Sequence, residues 1–143
     1  MLKSVAGVGF LMIALMLQVG CGPSGPDIAR VQGTVTMDGK PLPNAIIMFV
    51  PVGGRPSVSE TDANGKYVLE FSGGRKGAIP GINRVEINTG RLAYEKDGKN
   101  YTAVKESVPV QYNRLTTLEF NVEAGKNNTA DFALKSGGKI VEQ

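Results

Sequence analysis

"VQGTVTMDGKPLPNAIIMFVP", residues 31–51, is the stretch that decides the fold. Val31, Gly33, Val35 and Met37 share one parity, and Gln32, Thr34 and Thr36 share the other. Successive side chains of a strand point to opposite faces, so this strict alternation reads as a half-buried β-strand. Asp38-Gly39 then tolerates the positive φ of a tight two-residue turn, and Pro41 and Pro43 withhold ladder donors. Ala45 to Val50 is apolar throughout, too short and too β-branched for a helix. It reads as a central strand covered on both faces and stopped by Pro51.

The same grammar continues toward the C-terminus. Ser57 to Thr61 reads as a short strand. Asn64-Gly65 in "TDANGKY" marks a hairpin, with Tyr67, Leu69 and Phe71 alternating beyond it. "SGGRKGAIPG", residues 72–81, is a loop, and "INRVEINT", residues 82–89, alternates again. Leu118, Phe120 and Val122 alternate, "EAGKNN" turns the chain, and Phe132 and Leu134 close the series. The expectation is an all-β antiparallel sandwich of about seven strands. The 19 glycines and 8 prolines suit the turns such a fold needs.

Composition narrows the chemistry. The 143 residues suit one domain, and 41% hydrophobic with 20% charged residues suits a packed core. Net charge is +3 with no run of Lys and Arg, so a nucleic-acid partner is not expected. Histidine is absent, which removes Ser-His-Asp and Cys-His catalysis and imidazole metal ligands. One cysteine makes no internal disulfide.

That cysteine, Cys21, follows Lys3 and a 13-residue apolar run, Val5 to Leu17. A membrane-spanning helix needs about 20 apolar residues, whereas a run of about 10–14 suits a signal-peptide core. Residues 1–20 therefore read as a signal-peptide helix. "GPSGPDIA" follows, so residues 21–28 read as a flexible tether. Residues 29–136 are the sandwich domain and 137–143 a C-terminal tail.

Two family resemblances follow from these residues. "LQVGC", residues 17–21, resembles the lipobox of bacterial lipoproteins: Gly20 and Cys21 match, Val19 is acceptable, and Gln18 stands where leucine is usual. The resemblance implies cleavage before Cys21 and acyl chains on its sulfur, a covalent lipid in place of any cofactor. Each buried acyl CH₂ contributes about 0.8 kcal/mol and one chain anchors marginally, so two or three are needed for a lasting hold. The partner implied is a membrane, inner or outer, facing the periplasm or the cell exterior.

"VQGTVTMDGKPLPNAIIMFVP", "TDANGKYVL" and "GAIPGINRVEI" are similar to the carboxypeptidase regulatory-like, or transthyretin-like, β-sandwich. "VPVQYN" and "NNTADFAL" fit the later part of small bacterial lipoproteins of that type. These are turn and core residues, and they imply a fold rather than an activity. The histidines and Tyr-Arg-Gly-Ser motif of transthyretin-related hydrolases are absent.

Candidate sites are few. Asp62 and Asn64 suggest calcium, but Lys66 puts a cation at the next ligand position, so no metal is expected. The loop at 72–81 has glycines and two cations, but a strand rather than a helix follows, so it reads as a surface turn. "TGRLAYEKDGKNYTAVKESVP", residues 89–109, is long, polar and carries Tyr94 and Tyr101, with a short extra strand available at 99–104. Long loops on a rigid sandwich are where recognition resides, so Tyr94 and Tyr101 are the candidate contacts for a glycan, a peptide or an envelope protein. Tyr112 reads as a packed structural tyrosine. No spacing selects a catalytic pair from Glu86, Glu119, Glu123 and Asp131, which leaves a carboxylate-only hydrolase as the weakest alternative. The reading is a non-enzymatic, lipid-anchored envelope module, structural or accessory binding, with no catalytic residue.

Overall fold

The computed structural model describes residues 25–141. The expected signal-peptide helix, Cys21 and the first half of the tether lie outside them.

The chain forms the expected all-β sandwich. Its strands are β1 (Val31–Met37), β2 (Lys40–Pro41), β3 (Ile46–Pro51), β4 (Ser57–Glu60), β5 (Lys66–Val68), β6 (Gly81–Asn88), β7 (Tyr94–Lys96), β8 (Lys99–Tyr101), β9 (Glu119–Val122), β10 (Asn128–Thr129) and β11 (Phe132–Leu134). The seven strands expected from periodicity are β1, β3, β4, β5, β6, β9 and β11; the other four are only two or three residues long. Single 3₁₀ turns lie at Ser72–Gly74 and Val110–Tyr112.

One sheet has the order β4-β3-β6-β9, and every pairing in it is antiparallel. The other is built around β1, which pairs antiparallel with β5 and β2 on one flank. On its other flank β1 runs parallel to β10 and β11, a direction that alternation does not reveal. Between those two short ladders β1 carries Gly33, where a Cβ would lie 1.8 Å from the Ala130 carbonyl oxygen. The Thr34 N–H donates to Asp131 Oδ1 at 2.8 Å and the Tyr67 hydroxyl donates to the Ala130 carbonyl at 2.6 Å. A side-chain acceptor and a side-chain donor thus serve backbone groups where the ladder is interrupted. Burial, and then the Asp131 carboxylate, raise the Tyr67 pKa far above its ordinary value, so the hydroxyl stays a donor.

One local expectation is corrected. In β3, Ile47, Phe49 and Pro51 are buried while Ile46, Met48 and Val50 are only half-buried. The strand is central in its sheet, but among the described residues no second layer of elements buries its outer face. The Asn64-Gly65 turn forms the expected hairpin, its arms antiparallel and bridged at Val58–Glu70, while β4 and β5 each take their main ladder in a different sheet. Asp62 Oδ1 accepts the N–H groups of Asn64 and Lys66 at 2.8 and 2.9 Å, which commits that carboxylate oxygen to the turn.

The core lies between the sheets. Val31, Val35, Ile47, Phe49, Leu69, Val85 and Ile87 are fully buried, and Phe49 packs tilted and edge-on against Phe120 and Phe132. β3 defines two poles about 17 Å apart at ~3.4 Å per residue. Its start at Ile46 lies beside Asn88 and Glu60, and its end at Pro51 lies beside Asn83. The chain enters at the second pole, where Ala29 bridges Ala78 and the Arg75 Nη2 donates to the Pro26 carbonyl at 2.9 Å. That contact ties down the latter half of the stretch read as a flexible tether.

Candidate functional site

The site stands at the first pole, on the segment that follows β6. Asp97-Gly98 has φ of 52° and 71°, the left-handed pair of a two-residue turn, and it folds the segment into the β7–β8 hairpin. β8 falls within the stretch expected to hold a short strand. Register then places Tyr94 directly opposite Tyr101. Their rings lie 5° from parallel with centroids 4.6 Å apart. That spacing exceeds the ~3.5–4.0 Å of direct carbon contact, so the rings are slid across each other, the favoured offset for aromatic pairs. Each tyrosine remains exposed, at 44% and 43%.

One carboxylate holds the base of the hairpin. Glu106 is 7% exposed. Its Oε1 accepts from the Thr89 N–H and hydroxyl (3.0 and 2.8 Å) and from the N–H groups of Ser107 and Val108 (2.9 and 2.8 Å). Its Oε2 accepts from the Gly90 N–H at 3.3 Å. Burial works against the charge, but the donors of Thr89, Val108 and Gly90 outweigh it and hold the carboxyl below its ordinary value of 4.5. The neck is closed by a bridge between Arg91 and Val104.

Arg91 ties the neck to the sandwich. Its Nη2 donates to the Asn44 carbonyl at 2.7 Å and pairs with Glu60 at 3.2 Å, while its Nε is buried without a hydrogen-bond partner among the described residues. Hairpin and body enclose an open groove of about 640 Å³. Leu42 and Pro43 line it from the β2–β3 loop, Tyr94 and Tyr101 from the hairpin, and Arg91 and Lys105 supply positive charge. Aromatic faces, an apolar lining and hydroxyl, amide and guanidinium groups suit a ligand with both a flat apolar face and polar edges.

The structure therefore brings Tyr94 and Tyr101 together. Cys21 lies outside the described residues. Tyr112 packs against the core and its hydroxyl accepts the Lys135 N–H at 3.1 Å. Glu86 pairs with Arg84, Glu123 with Lys126, Asp131 serves Thr34, and Glu119 faces Arg84 in register. Glu86 and Glu119 thus flank one cation, Arg84, while Glu123 and Asp131 are engaged elsewhere. Among the described residues no three acidic, His or Cys side chains gather as a metal set. No helix there is long and apolar enough to cross a membrane. Sequence reasoning did not single out Glu106 or Arg91. Apart from the neighbouring Ser107 and Val108 N–H groups, their partners come from 16 to 47 residues away, and the backbone groups among them leave no mark in the sequence.

No protein-family model and no curated protein matches the chain. Among solved structures, a 9R-lipoxygenase from Cyanothece PCC8801 is similar to it at 17% identity and a TM-score of 0.38. That likeness covers 78% of this chain and 17% of the lipoxygenase. A likeness that slight carries no argument about function.

Proposed function

We propose that this chain is a non-enzymatic lipoprotein of the cell envelope, anchored through acyl chains on Cys21, whose sandwich serves as an accessory binding or structural module. The observation that carries the reading is the 13-residue apolar run and lipobox-like "LQVGC" set only a few residues before the sandwich begins. A short apolar leader followed by a single thiol suits covalent lipid better than a spanning helix. Metabolic labelling with a fatty-acid probe tests it. Label on the wild-type chain that disappears in Cys21→Ser supports the anchor, and no label on either chain removes it.

The second reading concerns what the module holds. Two exposed tyrosines stacked beside a groove favour a glycan or peptide, because sugar faces and apolar side chains both stack on phenol rings. A glycan and peptide array probed with the full chain, the parent against Tyr94→Ala/Tyr101→Ala, reads this directly. Binding that survives loss of both rings rules the groove out.

A further inference from the structure

The pole opposite the tyrosine hairpin carries a second surface. A cavity of about 660 Å³ opens there beside the point where the chain enters, lined by Gly25, Gly54, Arg55, Phe71, Arg75 and Ile79. Arg75 lies with its Cζ 5.8 Å from the Phe71 ring centroid and holds the Pro26 carbonyl. Arg55 is exposed and has no ion-pair partner among the described residues. Val52, in the same loop as Arg55, is 94% exposed, and Ile82 at the start of β6 is 56% exposed. Nearby, Glu70 is neutralised by Lys76 and Glu123 by Lys126. Among the described residues here, Asp27 and, farther along β9, Glu119 stand outside an ion pair, against Arg30, Arg55 and Arg75. The surface is therefore net positive with apolar tips.

We infer that this pole is a membrane-apposed surface that seats anionic phospholipid headgroups between Arg55 and Arg75 and dips Val52 into the interface. The inference rests on the Cys21 anchor proposed above. Four peptide steps separate Cys21 from Gly25, a reach of about 14 Å at full extension. Arg75 fastens the chain at Pro26, so an acylated Cys21 cannot let this pole stand far from the bilayer. Guanidinium groups match phosphate geometry with paired donors, and an exposed aliphatic side chain gains by leaving water at the headgroup boundary. The hairpin groove, at the far end of β3, then faces away from the membrane.

The chain contains no tryptophan, so a single one reports its own position. Val52→Trp and Leu92→Trp, at two exposed sites on opposite poles, are made in the full acylated chain and incorporated into vesicles. The vesicles are phosphatidylcholine alone or phosphatidylcholine mixed with phosphatidylglycerol, each with brominated acyl chains as quencher. The expected result is a blue shift and quenching at position 52 in the anionic vesicles, with position 92 unquenched. That quenching falls by about half as the screening length shrinks from ~30 Å to ~8 Å with added salt. Arg55→Glu, in an exposed loop, removes the blue shift without moving the melting temperature. Equal aqueous accessibility of both tryptophans, or equal quenching in neutral and anionic vesicles, overturns the proposal. The anchor is read separately, by acyl mass and by vesicle pelleting of Cys21→Ser. Loss of the anchor claim with salt-sensitive quenching at position 52 intact leaves the pole standing, and the reverse leaves only the anchor.

Discussion

The two poles of this sandwich are built by opposite means. At the hairpin pole a single buried carboxylate, Glu106, gathers donors from Thr89, Gly90, Ser107 and Val108, and an arginine straps the neck to Asn44 and Glu60. At the entry pole, glycine-rich loops carry two arginines; Arg75 fastens the incoming chain at Pro26, Asn128 at Arg30, and the neutral amide of Asn83 holds the Ile79 and Gly81 carbonyls. The difference teaches what each end can do. A satisfied buried charge fixes the hairpin in one orientation, as presentation of a stacked aromatic pair requires. Exposed cationic tips on glycine-rich loops leave the other end open to a charged surface instead of a shaped ligand.

The contrast breaks most readily at Glu106. Glu106→Ala leaves several backbone donors unserved in a buried setting, and we expect about 3 kcal/mol of stability to be lost. Urea unfolding measures the loss, and proteolysis mapped to residues 89–107 shows where it falls. Its pH counterpart follows from the sign of the shift. Glu106 is held below its unfolded value, so its contribution is complete above 4.5 and is lost as the pH falls through the lower folded value. Thermal melts should therefore decline in that acid window, and Glu106→Gln should flatten the decline.

A smaller effect is expected at the entry pole from Gly77→Ala. Gly77 has φ of 137° and a Cβ there would lie 2.3 Å from the Ala29 carbonyl oxygen, so the Ala29–Ala78 bridge must open. A cost of about 2 kcal/mol in denaturant melts is expected from the strained φ and the clash. Smaller again is Tyr101→Ala, which removes an exposed stack for about 1 kcal/mol while abolishing array binding if the groove is the recognition site. Smallest is Arg75→Ala, within about 0.5 kcal/mol in the same melts, because its hydrogen bond is a surface one. A large loss there would show that the entry pole is as firmly built as the hairpin pole.

Much of the fold was legible because local rules dominate it. Alternation located β1, β6 and β9, and Asp38-Gly39 located the β1–β2 turn. Asp97-Gly98 carries the same signal, and Tyr94 and Tyr101 each lie three residues outside it, so their pairing was available from spacing alone. The segment's charge and exposure made it read as a loop. The outer face of β3 misled because an apolar run looks the same whether a second layer covers it or not. The Asn64-Gly65 hairpin was legible, but not that β5 takes its ladder from β1, because a tight turn reports its own geometry and not which sheet receives the next strand. Glu106 was invisible because a carboxylate that serves backbone donors leaves no companion motif.

The parallel seat of β1 beside β10 and β11 has a temporal consequence. Val31 meets Asn128 and Met37 meets Leu134, so β1 waits for a segment about a hundred residues downstream before its second flank is filled. Contacts of such long sequence separation slow folding toward the millisecond-to-second range. A chain halted on the ribosome before residue 128 has β2 and β5 to offer β1 but lacks the closing neighbours. The sandwich therefore stays open on that flank until residues 128–134 have emerged, which keeps the nascent polypeptide threadable up to that point.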